Sequence, residues 1–165
     1  MRTSKSSRLL LFFCLATLAG CAGGVAVTPE SLREARARWG RANVRDYDIE
    51  WACAGPRNAQ YIVTVREGRV KTIESLTPDG RRIVVKPFDT RFYSVDGLFM
   101  TIDEELAQLD QPSPFGQPKG TKAVLMFSPD PTYGYPKSFR RDVMGSPAAL
   151  TIDVIRFTPA NTEAK

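Results

Sequence analysis

Apolar residues recur at two different spacings along this chain, and the switches between them divide it into elements. Leu32, Ala35 and Trp39 fall on one face at helical spacing. Thr28 supplies an N-cap, Pro29 sits at the first helical position, Val27 and Leu32 are placed for a hydrophobic staple, and Gly40 is the expected stop. Residues 46–53 alternate instead, with Tyr47, Ile49, Trp51 and Cys53 on one side and Asp46, Asp48 and Glu50 on the other. That period of two predicts a half-buried strand of an antiparallel sheet. Further strands follow at 61–66, with Tyr61, Val63 and Val65 toward the core, and at 69–76 across a tight Glu67-Gly68 link. The alternation slips between Val70 and Ile73, which predicts a bulge. Thr77-Pro78-Asp79-Gly80 is a turn, and residues 81–86 form a strand ended by Pro87.

A second helix carries the clearest pattern. Val95, Leu98, Phe99, Ile102, Leu106 and Leu109 form one apolar stripe, with Ser94 as the cap and Asp103, Glu104 and Gln108 facing water. Gly97 near its start costs about 1 kcal/mol against alanine, which the stripe offsets. Residues 111–121 and 128–136 are rich in Pro and Gly and read as loops. Strands are expected at 122–127, 137–143 and 149–157, with a frayed tail at 159–165. Helices and runs of strands in this order predict an α+β fold, an antiparallel sheet of about six to seven strands with two helices packed on one face. The expected organisation is one domain over residues 29–158, with no internal repeat.

The chain before that domain reads as an address. Arg2, Lys5 and Arg8 form a basic head, and Leu9–Ala19 is apolar apart from Thr17. At about 1.5 Å per residue this run is too short for a hydrocarbon core of roughly 30 Å. It closes on Leu18-Ala19-Gly20-Cys21, which resembles the lipobox of bacterial lipoproteins. The resemblance implies a signal peptide at residues 1–20, cleavage before Cys21, a lipidated Cys21 as the mature N-terminus and a flexible tether over 21–28. It also implies a membrane partner through that lipid, since two or more acyl chains anchor a protein stably and one does not. Ala22 rather than Asp at the second mature position implies the outer membrane, facing the periplasm, if the source is Gram-negative.

Removing that segment changes the charge picture. The full chain has 23 basic and 18 acidic side chains, and without Arg2, Lys5 and Arg8 the excess falls to two. No nucleic-acid role follows from so small an excess. By that resemblance Cys14 and Cys21 are consumed by processing, so no second cysteine remains for an intrachain disulfide, and Cys53 is expected as a buried structural thiol; a mixed disulfide or a reactive thiol is the alternative. The chain contains no histidine, which excludes Ser-His-Asp and Cys-His catalysis and the commonest metal ligand.

Asp46, Asp48 and Glu50 place three carboxylates on one strand face, a set able to hold calcium. The glycine turn and spacing of a calcium-binding loop are missing, so a solvated face is the better reading, with no metal and no cofactor. Arg140-Arg141-Asp142 reads as surface charge. Phe115, Tyr133 and Tyr135 lie in the Pro/Gly-rich loops and are candidate partner contacts, because rigid aromatics in loops anchor interfaces; rings tucked under their loops are the alternative.

Several short pieces also resemble a family of uncharacterised bacterial envelope proteins, many of them lipoproteins, that share a domain of unknown function. These are Trp39, the run Asp46-Tyr47-Asp48-Ile49-Glu50-Trp51 with Cys53, Val63-Thr64-Val65 with Gly68-Arg69-Val70, the Val95 to Ile102 stripe, and Gly134-Tyr135-Pro136. That resemblance implies a single domain in the envelope and lends no activity. Two function classes remain. One is a non-catalytic envelope lipoprotein that binds or assembles with an envelope protein partner. The other is a small histidine-free hydrolase built on carboxylates or a lysine-activated serine.

Overall fold

The computed structural model describes residues 24–56 and 58–160. The expected signal peptide, the expected lipidation site Cys21 and the last residues of the tail lie outside them. The strands are β1 (Val25–Ala26), β2 (Tyr47–Ala54), β3 (Ala59–Arg66), β4 (Arg69–Leu76), β5 (Arg82–Val84), β6 (Ala123–Pro129), β7 (Pro136–Val143) and β8 (Leu150–Pro159). The helices are α1 (Pro29–Ala42) and α2 (Val95–Leu109), with single 3-10 turns at Arg91–Tyr93 and Pro114–Gly116. The fold is α+β, with one antiparallel sheet in the order β1-β6-β7-β8-β2-β3-β4-β5.

The sheet has eight strands rather than six to seven. The addition is β1, inside the segment expected to be a flexible tether. Val25 and Ala26 pair with Phe127 and Met126, and Val27 behind them is buried. A two-residue edge strand has too little alternation to be recognised by period, and it forms because β6 offers it a free edge.

α1 begins with a reciprocal cap. Thr28 Oγ1 accepts from Ser31 N–H at 3.0 Å, and Ser31 Oγ accepts from Thr28 N–H at 2.9 Å. The helix runs through Gly40 to Ala42 and ends on Asn43 in the left-handed region, a conformation asparagine tolerates well. α2 is capped by Ser94, whose Oγ accepts from Gly97 N–H. Gly97 does more than lower helix propensity. A Cβ there would sit 2.1 Å from the Arg91 carbonyl oxygen, so glycine is what lets the 3-10 turn pack on the helix start.

Register sorts the side chains. Tyr47, Ile49 and Trp51 of β2 oppose Val65, Val63 and Tyr61 of β3, and all but Tyr61 are buried. They form a single core with Leu125, Phe127, Phe139, Ile152 and Val154 and with Leu32, Trp39, Leu98, Phe99 and Ile102 of the helices. At about 25 cal/mol per Å² of apolar surface removed from water, this shared core is the main favourable term holding the helices to the sheet. Trp39 Nε1 donates to Asp96 at 3.0 Å and ties α1 to α2. The predicted bulge is present. Thr64 pairs with Thr72 and Val65 with Val70, leaving Lys71 as the extra residue. A second bulge, in β8, leaves Ile155 without a partner on β2 and 55% exposed. Cys53 packs against the core edge but is half-buried rather than enclosed. No helix among the described residues is long and apolar enough to cross a membrane.

Candidate functional site

The candidate aromatic residues do not converge. Tyr135 is 8% exposed, and its ring centroid lies 4.5 Å from that of Phe157. Tyr133, half-buried, meets the same ring at 5.4 Å. Phe115 stands apart in the Pro114–Gly116 turn, half-buried, with the Arg141 guanidinium 4.5 Å above it. The tucked alternative describes Tyr135, and Tyr133 and Phe115 keep only part of their surface in water. Gly134 explains why the tyrosines turn inward. A Cβ there would lie 2.5 Å from the Ala35 carbonyl oxygen, so the loop presses directly on α1. Burial, and next the Asp130 charge, push the Tyr135 phenol up to about 12. Burial also raises Tyr47, whose hydroxyl accepts from Val95 N–H at the start of α2 at 3.0 Å.

The three carboxylates Asp46, just before β2, and Asp48 and Glu50 within it are occupied separately. Asp46 Oδ1 accepts from Glu67 N–H at 2.5 Å. Asp48 lies 3.1 Å from Arg66, although its Oδ1 is buried and out of line for a hydrogen bond. Glu50 accepts from Gln60 Nε2 at 2.6 Å and faces Arg156 at 3.3 Å, which leaves its side chain only 16% exposed. No group of three potential metal ligands exists among the described residues.

Arg141 departs from the surface reading given to its sequence run. It is 7% exposed, its Nη1 donates to both Glu105 oxygens at 2.7 and 2.6 Å, and its Nε donates to the Ala148 carbonyl. Alternation on β7 held the clue, since Phe139, Arg141 and Val143 share a face. The ion pair locks α2 to β7 and seats Phe115. The Arg141 charge is neutralised by Glu105.

Two surface features remain. A groove of about 470 Å³ lies between the helices, with Leu32, Leu106 and Ala107 in its floor and Arg33, Arg36, Asp103 and Asp110 around it. It is partly closed by the Arg36–Asp103 ion pair. The second feature is one end of the sheet. Because neighbouring strands are antiparallel, the α1–β2 turn, the β3–β4 hairpin and the β6–β7 loop all emerge there. Gly68 N–H donates to the Arg45 carbonyl at 2.8 Å, joining the first two. Arg38 donates to the carbonyls of Asp130 and Pro131 at 3.5 Å, joining α1 to the third. Gly24 lies at this same end, against the Phe127 carbonyl and the Ser128 hydroxyl. Arg45 and Arg69 share a polar hollow of about 380 Å³ there with Asp46 and Glu67.

Residues 31–111 match a family of unknown function, DUF6174. The matched segment takes in most of α1, β2 to β5 and α2, and ends before the β6 to β8 half of the sheet. Among curated proteins no match is found.

Proposed function

We propose that this protein is a lipid-anchored envelope lipoprotein whose folded domain is a non-catalytic binding or assembly module. One observation carries the reading. The Leu18-Ala19-Gly20-Cys21 box stands only three residues before Gly24, the first described residue of the fold. Three further residues span at most about 10 Å, so an acylated Cys21 would hold the domain directly at a bilayer surface. The non-catalytic part is supported by how the ionisable groups are used. Asp79, in an exposed turn, and Asp89, half-buried before the Arg91–Tyr93 turn, are held below the usual carboxylate range by hydrogen bonds from Thr77 and from Arg91 respectively. The raised phenols of Tyr47 and Tyr135 serve packing. Perturbed groups gathered in one cleft would favour chemistry, and these lie apart. Mass spectrometry of protein extracted from membranes tests the anchor. The expected result is an N-terminus at Cys21 carrying acyl mass, lost in Cys21→Ser. A mature form that begins elsewhere and stays in the soluble fraction would overturn the reading.

A further inference from the structure

We propose that the end of the sheet bearing Gly24 is a docking surface for anionic phospholipid headgroups, so that the domain stands on its strand ends with the loop at residues 111–121 pointing away from the bilayer. The proposal rests on the lipidation of Cys21.

The distribution of unpaired arginines carries it. Nine of the thirteen arginines on the described part of the chain form an ion pair with a carboxylate. Among the described residues the exceptions are Arg38, Arg41, Arg45 and Arg69, and all four lie at this one end. Arg41, Arg45 and Arg69 are exposed, and Arg38 is half-buried with its guanidinium on two loop carbonyls. Exposed Lys137, second residue of β7, lies beside them.

The acids at this end form no ion pair with these arginines. Asp46 accepts from Glu67 N–H, Glu67 faces Lys71 at 3.7 Å, and Asp48 faces Arg66. Asp130 accepts from the Thr132 and Tyr133 amides at 2.9 and 2.7 Å. Asp46 and Asp130 keep their charge, and Asp46 and Glu67 share the hollow of Arg45 and Arg69; the basic side chains Arg38, Arg41, Arg45, Arg69 and Lys137 outnumber them, and that excess faces an external anion. Arg33 and Arg36, higher on α1, are neutralised by Glu30 and Asp103.

The chain length outside the fold selects the occupant. The stretch from Cys21 to Gly24 spans at most about 10 Å, comparable to the distance over which charges act at physiological ionic strength, about 8 Å. An anchored domain therefore keeps this end within range of the headgroups. Basic residues near an anionic leaflet each contribute on the order of fivefold in binding.

The test uses the full-length lipidated protein reconstituted in vesicles, in a Cys53→Ser background. A fluorophore is placed on Thr132→Cys at the arginine end or on Lys119→Cys in the opposite loop. Phospholipid with a nitroxide on its headgroup is the quencher. In vesicles containing phosphatidylglycerol, the dye at position 132 should be quenched and the dye at 119 should not. Replacing phosphatidylglycerol by phosphatidylcholine, or adding about 0.5 M salt, should lower quenching at 132 at least fivefold. Arg41→Gln/Arg45→Gln/Arg69→Gln should do the same, and Arg33→Gln/Arg81→Gln should not. The salt and lipid arms need no arginine variant and hold if the triple variant folds poorly. Equal quenching at the two positions, or quenching at 132 insensitive to lipid charge and salt, overturns the docking surface and leaves lipidation standing. Absence of acyl mass on Cys21 overturns the anchoring reading and the orientation with it.

Discussion

Arg140 and Arg141 are neighbours on β7 and occupy two different chemical worlds. Arg141 points into the helix-covered face, where its side chain is 9% exposed and both Glu105 oxygens lie within hydrogen-bond distance. Arg140 points to the uncovered face, where it pairs with Asp142 at 2.6 Å while 64% of its side chain stays in water. The same split runs along β2. Tyr47, Ile49 and Trp51 are buried beneath the helices, and Asp48 and Glu50 form cross-strand ion pairs on the other side. The lesson is that covering one face raises the cost of every polar group left on it. A charge survives there only when fully partnered, whereas on the open face water supplies what the partner does not.

The comparison can be broken or sharpened by substitution on each face. The largest effect is expected for Phe99→Ala in α2, since Phe99 is 1% exposed in the core. It should cost about 3–5 kcal/mol in urea denaturation, and a loss under about 0.5 kcal/mol would show that α2 is not a core element. Next comes Glu105→Ala, which strands the Arg141 charge and should cost about 3 kcal/mol. The double change Glu105→Leu/Arg141→Met should be less harmful than that single change, and a double variant weaker than Glu105→Ala would show that the pair itself contributes net stability.

A third prediction concerns pH. The Tyr135 phenol titrates at about 12 in the fold against about 10 when unfolded. The raised value means that the fold favours the neutral phenol. Its contribution is intact below about pH 10 and is lost as pH rises from there toward about 12, amounting to roughly 2–3 kcal/mol. Burial raises Tyr47 in the same direction, so Tyr135→Phe should flatten part of the alkaline loss and not all of it. Denaturation midpoints of the two proteins across that range provide the measurement, and identical slopes would remove Tyr135 from the explanation. The smallest effect belongs to the open face. Arg156→Ala removes a pair to Glu50 in which the arginine is 60% exposed, and it should cost less than about 1 kcal/mol. A loss comparable to that of Glu105→Ala would erase the distinction between the faces.

Local periodicity determined much of this molecule without help. The helical stripe from Val95 to Leu106, the alternation from Tyr47 to Cys53 and the slip between Val70 and Ile73 each report which neighbours a residue has along its own element, and the fold agrees with all three. The α+β class and the antiparallel sheet follow from the order of those elements. The resemblance of Leu18-Ala19-Gly20-Cys21 to a lipobox is likewise local, since a four-residue box is read as a linear string. Tertiary structure decided what depends on partners far apart in the chain. β1 exists because β6 is open beside it, and the sheet closes at its centre through β8 and β2, the last strand meeting the second. Arg141 is buried because Glu105 and Phe115 come to meet it, and Gly97 is obligatory because the Arg91 turn packs on it. The arginine end is of the same kind. Arg38 and Arg41 lie one turn apart on α1, but Arg45 follows the helix and Arg69 opens β4, and the four meet because antiparallel strands return every second turn to the same end of the sheet.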